Sequence, residues 1–82
     1  MPRFYFDLRN DEELAADVRG VHLPDMQAAL VEAAQRLLKT AQLLSYRPTE
    51  SLLGCRIAVE VRDGVGPVLQ AALTFTDMQS VN

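Results

Sequence analysis

Eighty-two residues, 49% of them apolar, with a formal net charge of −3, bound the chain to one small globular domain and argue against disorder. A domain of this size buries only about 60% of the surface of its unfolded chain, so its core is thin. The charge lacks the strongly basic footprint of most nucleic-acid binders, and one cysteine with one histidine can supply neither a disulfide nor a zinc ligand set.

From Arg3 to Arg9 the residues alternate. Phe4, Phe6 and Leu8 share one face, and Arg3, Tyr5, Asp7 and Arg9 share the other. Period two with aromatics predicts a half-buried strand. Asn10 to Glu13 reads as a polar turn, and Leu14 to Leu23 as a short second strand broken near residues 17–20. Asp accepts local backbone hydrogen bonds and Gly tolerates positive φ, so a D-x-x-G turn or bulge fits there.

Leu23-Pro24-Asp25 marks a helix start, with Asp25 as the cap. The stretch from Met26 to Tyr46 contains no Gly or Pro, and Met26, Leu30, Ala33, Leu37, Ala41 and Leu44 form a stripe at helical spacing, widened by Ala34 and Leu38. Pro48 ends this helix by moving Arg47 out of the αR region. Thr49 to Gly54 is a connection with room for one irregular turn.

Cys55, Ile57, Val59 and Val61 then alternate inward against Arg56, Ala58, Glu60 and Arg62, the clearest strand of the chain. Asp63-Gly64-Val65-Gly66-Pro67 reads as a hairpin loop. A final strand runs from Val68 to Phe75 with Leu69, Ala71, Leu73 and Phe75 inward. The expected fold is α+β: a four-stranded antiparallel sheet in the order β-β-α-β-β, with one long helix packed on its phenylalanine face. Residues 1–76 form the domain and 77–82 a loose tail. A right-handed split crossover favours strand order 2-1-3-4, with 2-1-4-3 the alternative.

The single residues that could carry chemistry read as structural. His22 is expected at a turn or strand end, and Cys55 as a buried, inert thiol on the inward face of the third strand. The acidic run from Asp7 lacks the spacing of a calcium loop. Gly64-Val65-Gly66 precedes no helix that could aim its amides at a phosphate. The serines have no nucleophile context, so the expectation is a non-enzyme without metal or cofactor.

The outer sheet face is more distinctive. Arg3, Arg9, Arg56 and Arg62 stand there with Asp7, Glu60, Tyr5 and Ala58, a local charge of +2 that leaves the rest of the chain at −5. Arg3, Tyr5, Arg9, Arg56 and Arg62 are therefore a candidate binding face for an anionic partner, with Tyr5 available to stack. The ordinary alternative is a solvated face laced with cross-strand ion pairs. Tyr5, Ala58, Val68 and Ala72, or Val31, Leu38 and Leu43 at the edge or back of the helix, offer apolar surface for a second copy.

The opening MPRFYFDLR, the block D-V-R-G-V-H-L-P-D and the Ala-rich helix together resemble a family of short alpha-proteobacterial proteins of unknown function. Members begin M-P-R-[YF]-[FY]-F and carry D-x-x-G-x-x-L-P-D, at Asp17, Gly20, Leu23, Pro24 and Asp25 in this chain. The chain departs from the pattern in Phe4-Tyr5 and in residues 10–13, where a D-G turn is frequent. A fainter similarity is to HicB-like antitoxin domains, which begin with an aromatic hairpin and a P-D-L element. The expected function is a small, non-catalytic interaction or regulatory module, a homodimer or bound to another protein. The runner-up is an antitoxin-like or nucleic-acid-associated binder. With no apolar run of eighteen and no basic-then-apolar leader, the expected location is the cytoplasm, without membrane contact.

Overall fold

The alternating aromatic segment is a strand in the computed structural model, which describes residues 1–11 and 13–78. Strand β1 spans Arg3–Arg9, and β2 (Leu14–Ala15) and β3 (Val21–His22) both pair with it. Helix α1 runs Met26–Leu44 and the single turn α2 Thr49–Leu52. Strands β4 (Arg56–Arg62) and β5 (Pro67–Thr74) complete an antiparallel sheet in the order β2-β1-β4-β5. With β2 and β3 taken as the two halves of the broken second strand, this is the 2-1-3-4 arrangement. The tail expected from Asp77 falls largely on residues 79–82, outside the described residues.

Local chemistry accounts for each boundary. The Asp25 side chain accepts from the Ala28 amide at 2.9 Å, capping α1. The Leu23 amide donates to the Pro2 carbonyl at 3.0 Å and ties the entry of the helix to the start of β1. Asn10 closes the first turn, accepting from the Glu13 amide at 2.8 Å while its own amide donates to the Glu13 carbonyl at 3.0 Å. In the β4–β5 hairpin the Asp63 carboxylate accepts from the amides of Val65 at 2.8 Å and Gly66 at 3.0 Å. Those two amides hold its carboxyl below the usual carboxylate range.

The core lies between α1 and the sheet. Phe4, Phe6, Ile57, Val59 and Val61 pack there with Ala29, Ala33 and Leu37. The expected stripe on α1 holds at Ala33, Leu37, Ala41 and Leu44 but shifts in its first turns: Ala29 is fully buried, whereas Met26 and Leu30 are about half exposed. Ala29 and Ala33 face the sheet together with Leu37, while Leu30 and Leu38 stand on the flank.

Three further expectations are corrected. Cys55 does not point inward from a strand: β4 begins at Arg56, and the half-buried thiol donates to the Ser51 carbonyl at 3.1 Å as the chain leaves α2. Ala58 was expected on the open face but is fully buried. Its register partners are Arg9 and Ala72, and Arg56 and Glu60 flank it along β4. The last strand starts at Pro67 and ends at Thr74, one residue early at each end, with a register irregularity at residues 61 and 62.

Candidate functional site: the outer sheet face

The β1 edge dictates much of this face. β2 pairs at Leu8 and Arg9, and β3 pairs at Arg3 and Phe4. Residues 16–20 leave the ladder between them, which would strand the Phe6 amide without a strand partner. Asp17 fills that gap: its carboxylate accepts from the Phe6 amide at 3.1 Å. The same carboxylate accepts from the amides of Arg19 at 3.0 Å and Gly20 at 3.1 Å. Partial burial raises the Asp17 pKa, but the Gly20, Phe6 and Arg19 amides and the charge of Arg36 outweigh it and hold the carboxyl below its ordinary value.

Gly20 makes the turn possible. Its φ is +73°, and a Cβ there would stand 2.8 Å from Arg3 Cγ, 2.9 Å from a Tyr5 ring carbon and 3.0 Å from the Phe4 carbonyl. The loop therefore presses on the outer face, so the tyrosine side is not wholly open and Tyr5 is half-buried.

Two polar chains cross the remaining face. In the first, Arg62 Nε donates to Asp7 at 2.9 Å and its terminal nitrogen to the Asp17 carbonyl at 2.8 Å. The Asp17 amide donates to Asp7 at 2.8 Å, and the Arg62 guanidinium lies 4.4 Å from the Tyr5 ring centre. Asp7, expected in solvent, is 7% exposed because this network covers it. In the second, Arg9 pairs with Glu60 at 2.8 Å, Gln70 donates to the same Glu60 oxygen at 3.1 Å, and Arg56 donates to Gln70 at 3.3 Å. Arg3 donates to the Arg19 carbonyl and to His22 Nε2, the latter at 2.8 Å. His22 Nδ1 lies 3.1 Å from the Met1 carbonyl, a pattern that matches a ring carrying its hydrogen on Nδ1.

The structure thus places Arg3, Tyr5, Arg9, Arg56 and Arg62 on one face but divides them between the two networks and the His22 corner. Each guanidinium already has an acceptor within the chain. Sequence reasoning missed Asp17 as the organiser. Its signal was the D-x-x-G spacing, which shows a turn but not that the turn bridges a broken edge.

Elsewhere, a cleft of about 410 Å³ opens where Leu8, Leu44, Leu52, Cys55, Arg56 and Ile57 meet. His22 pairs beside Arg3, near the opposite end of β1 from Leu8 and roughly 17 Å away along the strand. Imidazole and thiol are therefore not brought together. Among the described residues, no group of three His, Cys, Asp or Glu side chains could hold a metal ion, and no helix is long and apolar enough to cross a membrane.

An α+β domain of one main helix on an open antiparallel sheet, its polar face closed by internal pairs, defines the class. The chain belongs to the family described as Domain of unknown function (DUF6894), whose model matches residues 3–74. No curated protein and no solved structure matches it.

Proposed function

We propose that the protein is a non-catalytic interaction module that works through protein–protein contact, with a second copy of itself as the first partner. The observation that carries this reading is the distribution of unused surface. The polar groups of the outer face satisfy one another, whereas Leu30, Leu38 and Leu43 of α1 are 51%, 58% and 65% exposed. Exposed apolar surface on a thin-cored domain is the feature that association would use. Sedimentation equilibrium over a wide concentration range tests it. A mass rising from one to two chains is expected, and a single-chain mass at the highest concentration overturns self-association.

A second reading, an antitoxin-like or nucleic-acid-associated binder, draws support from the common face of Arg3, Tyr5, Arg9, Arg56 and Arg62. In that case Arg56→Glu combined with Arg62→Glu abolishes an anionic interaction. Unchanged binding would rule it out. The cytoplasm is the compartment that suits either reading.

A further inference from the structure

The three charged residues of α1, Glu32, Arg36 and Lys39, lie together on one flank of the helix. That flank leans toward β1: Arg36 stands 4.5 Å from the Phe6 ring centre, and Lys39 lines a groove with Phe6 and Leu8. Since α1 packs over β4 and β5, its opposite flank lies on the β5 side. That opposite flank carries Met26, Leu30, Val31, Ala34 and Leu38, with Gln27 and Gln42, and no charge.

Strand β5 repeats the pattern. It is the edge of the sheet, so among the described residues one side of its backbone has no ladder partner. Its eight residues, PVLQAALT, include no ionisable side chain. Edge strands are ordinarily blunted by charges, bulges or extreme shortness, and here the blunting is confined to the start of the strand, at Pro67 and the register irregularity beside it.

Resting on the self-association reading, we infer that the β5 edge pairs antiparallel with the β5 edge of a second copy. The uncharged flanks of the two α1 helices then meet above the joint. Opposed residues in such a ladder must share a sheet face, so the two-fold axis passes through a single residue. Centring it on Ala71 uses residues 69–73, leaves Pro67 and the irregular Val68 outside the ladder, and sets Leu69 against Leu73 on the helix side and Gln70 against Ala72 on the outer side. Because a two-fold brings like against like, an edge and flank without charge are what self-pairing needs.

The area fits a weak dimer. Five paired residues run about 17 Å. The narrow dimensions of the molecule are 22 and 20 Å. Such a face offers roughly 350 Å² per protomer, about 700 Å² in all, which is the size of a weak, transient contact.

The test compares full-length variants at exposed positions by sedimentation equilibrium, with circular dichroism to confirm folding. Ala72→Lys at the edge and Leu38→Lys on the flank are each expected to weaken dimerisation by at least about tenfold. Lys39→Glu, on the charged flank, is expected to leave it unchanged. Mixing Ala72→Lys with Ala72→Glu is expected to restore a dimer containing one of each, because the introduced ammonium and carboxylate then face each other diagonally across the joint. A wild-type dimer untouched by Ala72→Lys and Leu38→Lys overturns this pairing but leaves self-association standing. A wild-type monomer overturns both.

Discussion

The two edges of the sheet are built on opposite principles. At the β1 edge, two strands of two residues each are stitched on by side chains: Asp17 replaces the missing acceptor for Phe6, and Arg62 ties both Asp7 and the Asp17 carbonyl to the sheet. At the β5 edge, eight residues with one irregularity near their start present a backbone that is open among the described residues and carries no charge. The first edge is closed by polar chemistry that a partner would have to break. The second has no such closure, so substitutions there should alter association and not folding.

The largest effect is expected at Gly20. Gly20→Val adds a strained positive φ to contacts of 2.8–3.0 Å with Arg3, Tyr5 and the Phe4 carbonyl. A loss of about 3 kcal/mol or more in urea unfolding is expected, and an unchanged midpoint would mean that the loop does not press on the sheet. Asp17→Ala should follow at roughly 2–3 kcal/mol, because it leaves the Phe6 amide and two loop amides without their acceptor. Asp17→Asn should fall between wild type and Asp17→Ala, since its carbonyl oxygen can still accept but its amide nitrogen cannot.

The same carboxylate gives a pH test. Its folded pKa is lowered. Its contribution is therefore complete above the unfolded value, about 3.9, and is lost as pH falls through the folded value. Acid titration of stability in wild type and Asp17→Asn should converge in that window, and parallel curves would show that Asp17 is not the titrating group. Asp63, lowered in the same direction, titrates in both proteins and cancels in the comparison.

On the other side of the molecule the effects should shrink. Gly54 also has a positive φ, +86°, but a Cβ there meets nothing within 4 Å. Gly54→Ala should cost only about 1–2 kcal/mol from the backbone alone, and a cost equal to that of Gly20→Val would erase the distinction between crowded and open turns. The smallest effect belongs to Ala72→Lys, expected within about 0.5 kcal/mol in unfolding of the isolated chain. A large destabilisation there would show that the β5 edge is needed for the fold itself.

Much of this architecture could be read from the sequence because the patterns were strict. Phe4 and Phe6 alternate against Tyr5 and Asp7, and a half-buried strand is the only regular structure with that period. Asp25 follows Pro24 at the start of a Gly-free run, and it caps the helix. What could not be read depended on contacts between distant segments. The first turns of the α1 stripe shift, with Ala29 buried in place of Met26 and Leu30, and both settings are apolar in the sequence. Cys55 continues the alternation of Ile57 and Val59, and its carbonyl accepts from the Phe75 amide at 3.0 Å, but the strand itself starts only at Arg56 and the Cys55 thiol turns to the Ser51 carbonyl. The candidate face was legible as a set of side chains, whereas its internal pairing depended on register: Asp7 stands opposite Glu60, and Arg62 reaches it diagonally from opposite Tyr5. The motif residues also gain a physical account. Asp17 bridges the edge, Gly20 turns beneath Tyr5, Leu23 ties the chain back to Pro2, and Asp25 caps α1. These are roles in building the fold.

Ala29 and Ala33, both without any solvent contact, act as spacers. A single methyl group at each position lets the rod settle onto Phe4, Phe6 and Val61, and anything bulkier would prop it away like a shim. The richness of the helix in alanine is therefore a tolerance on the gap between two layers, which admits one leucine, Leu37, and leaves Leu30, Leu38 and Leu43 on the outside of the rod.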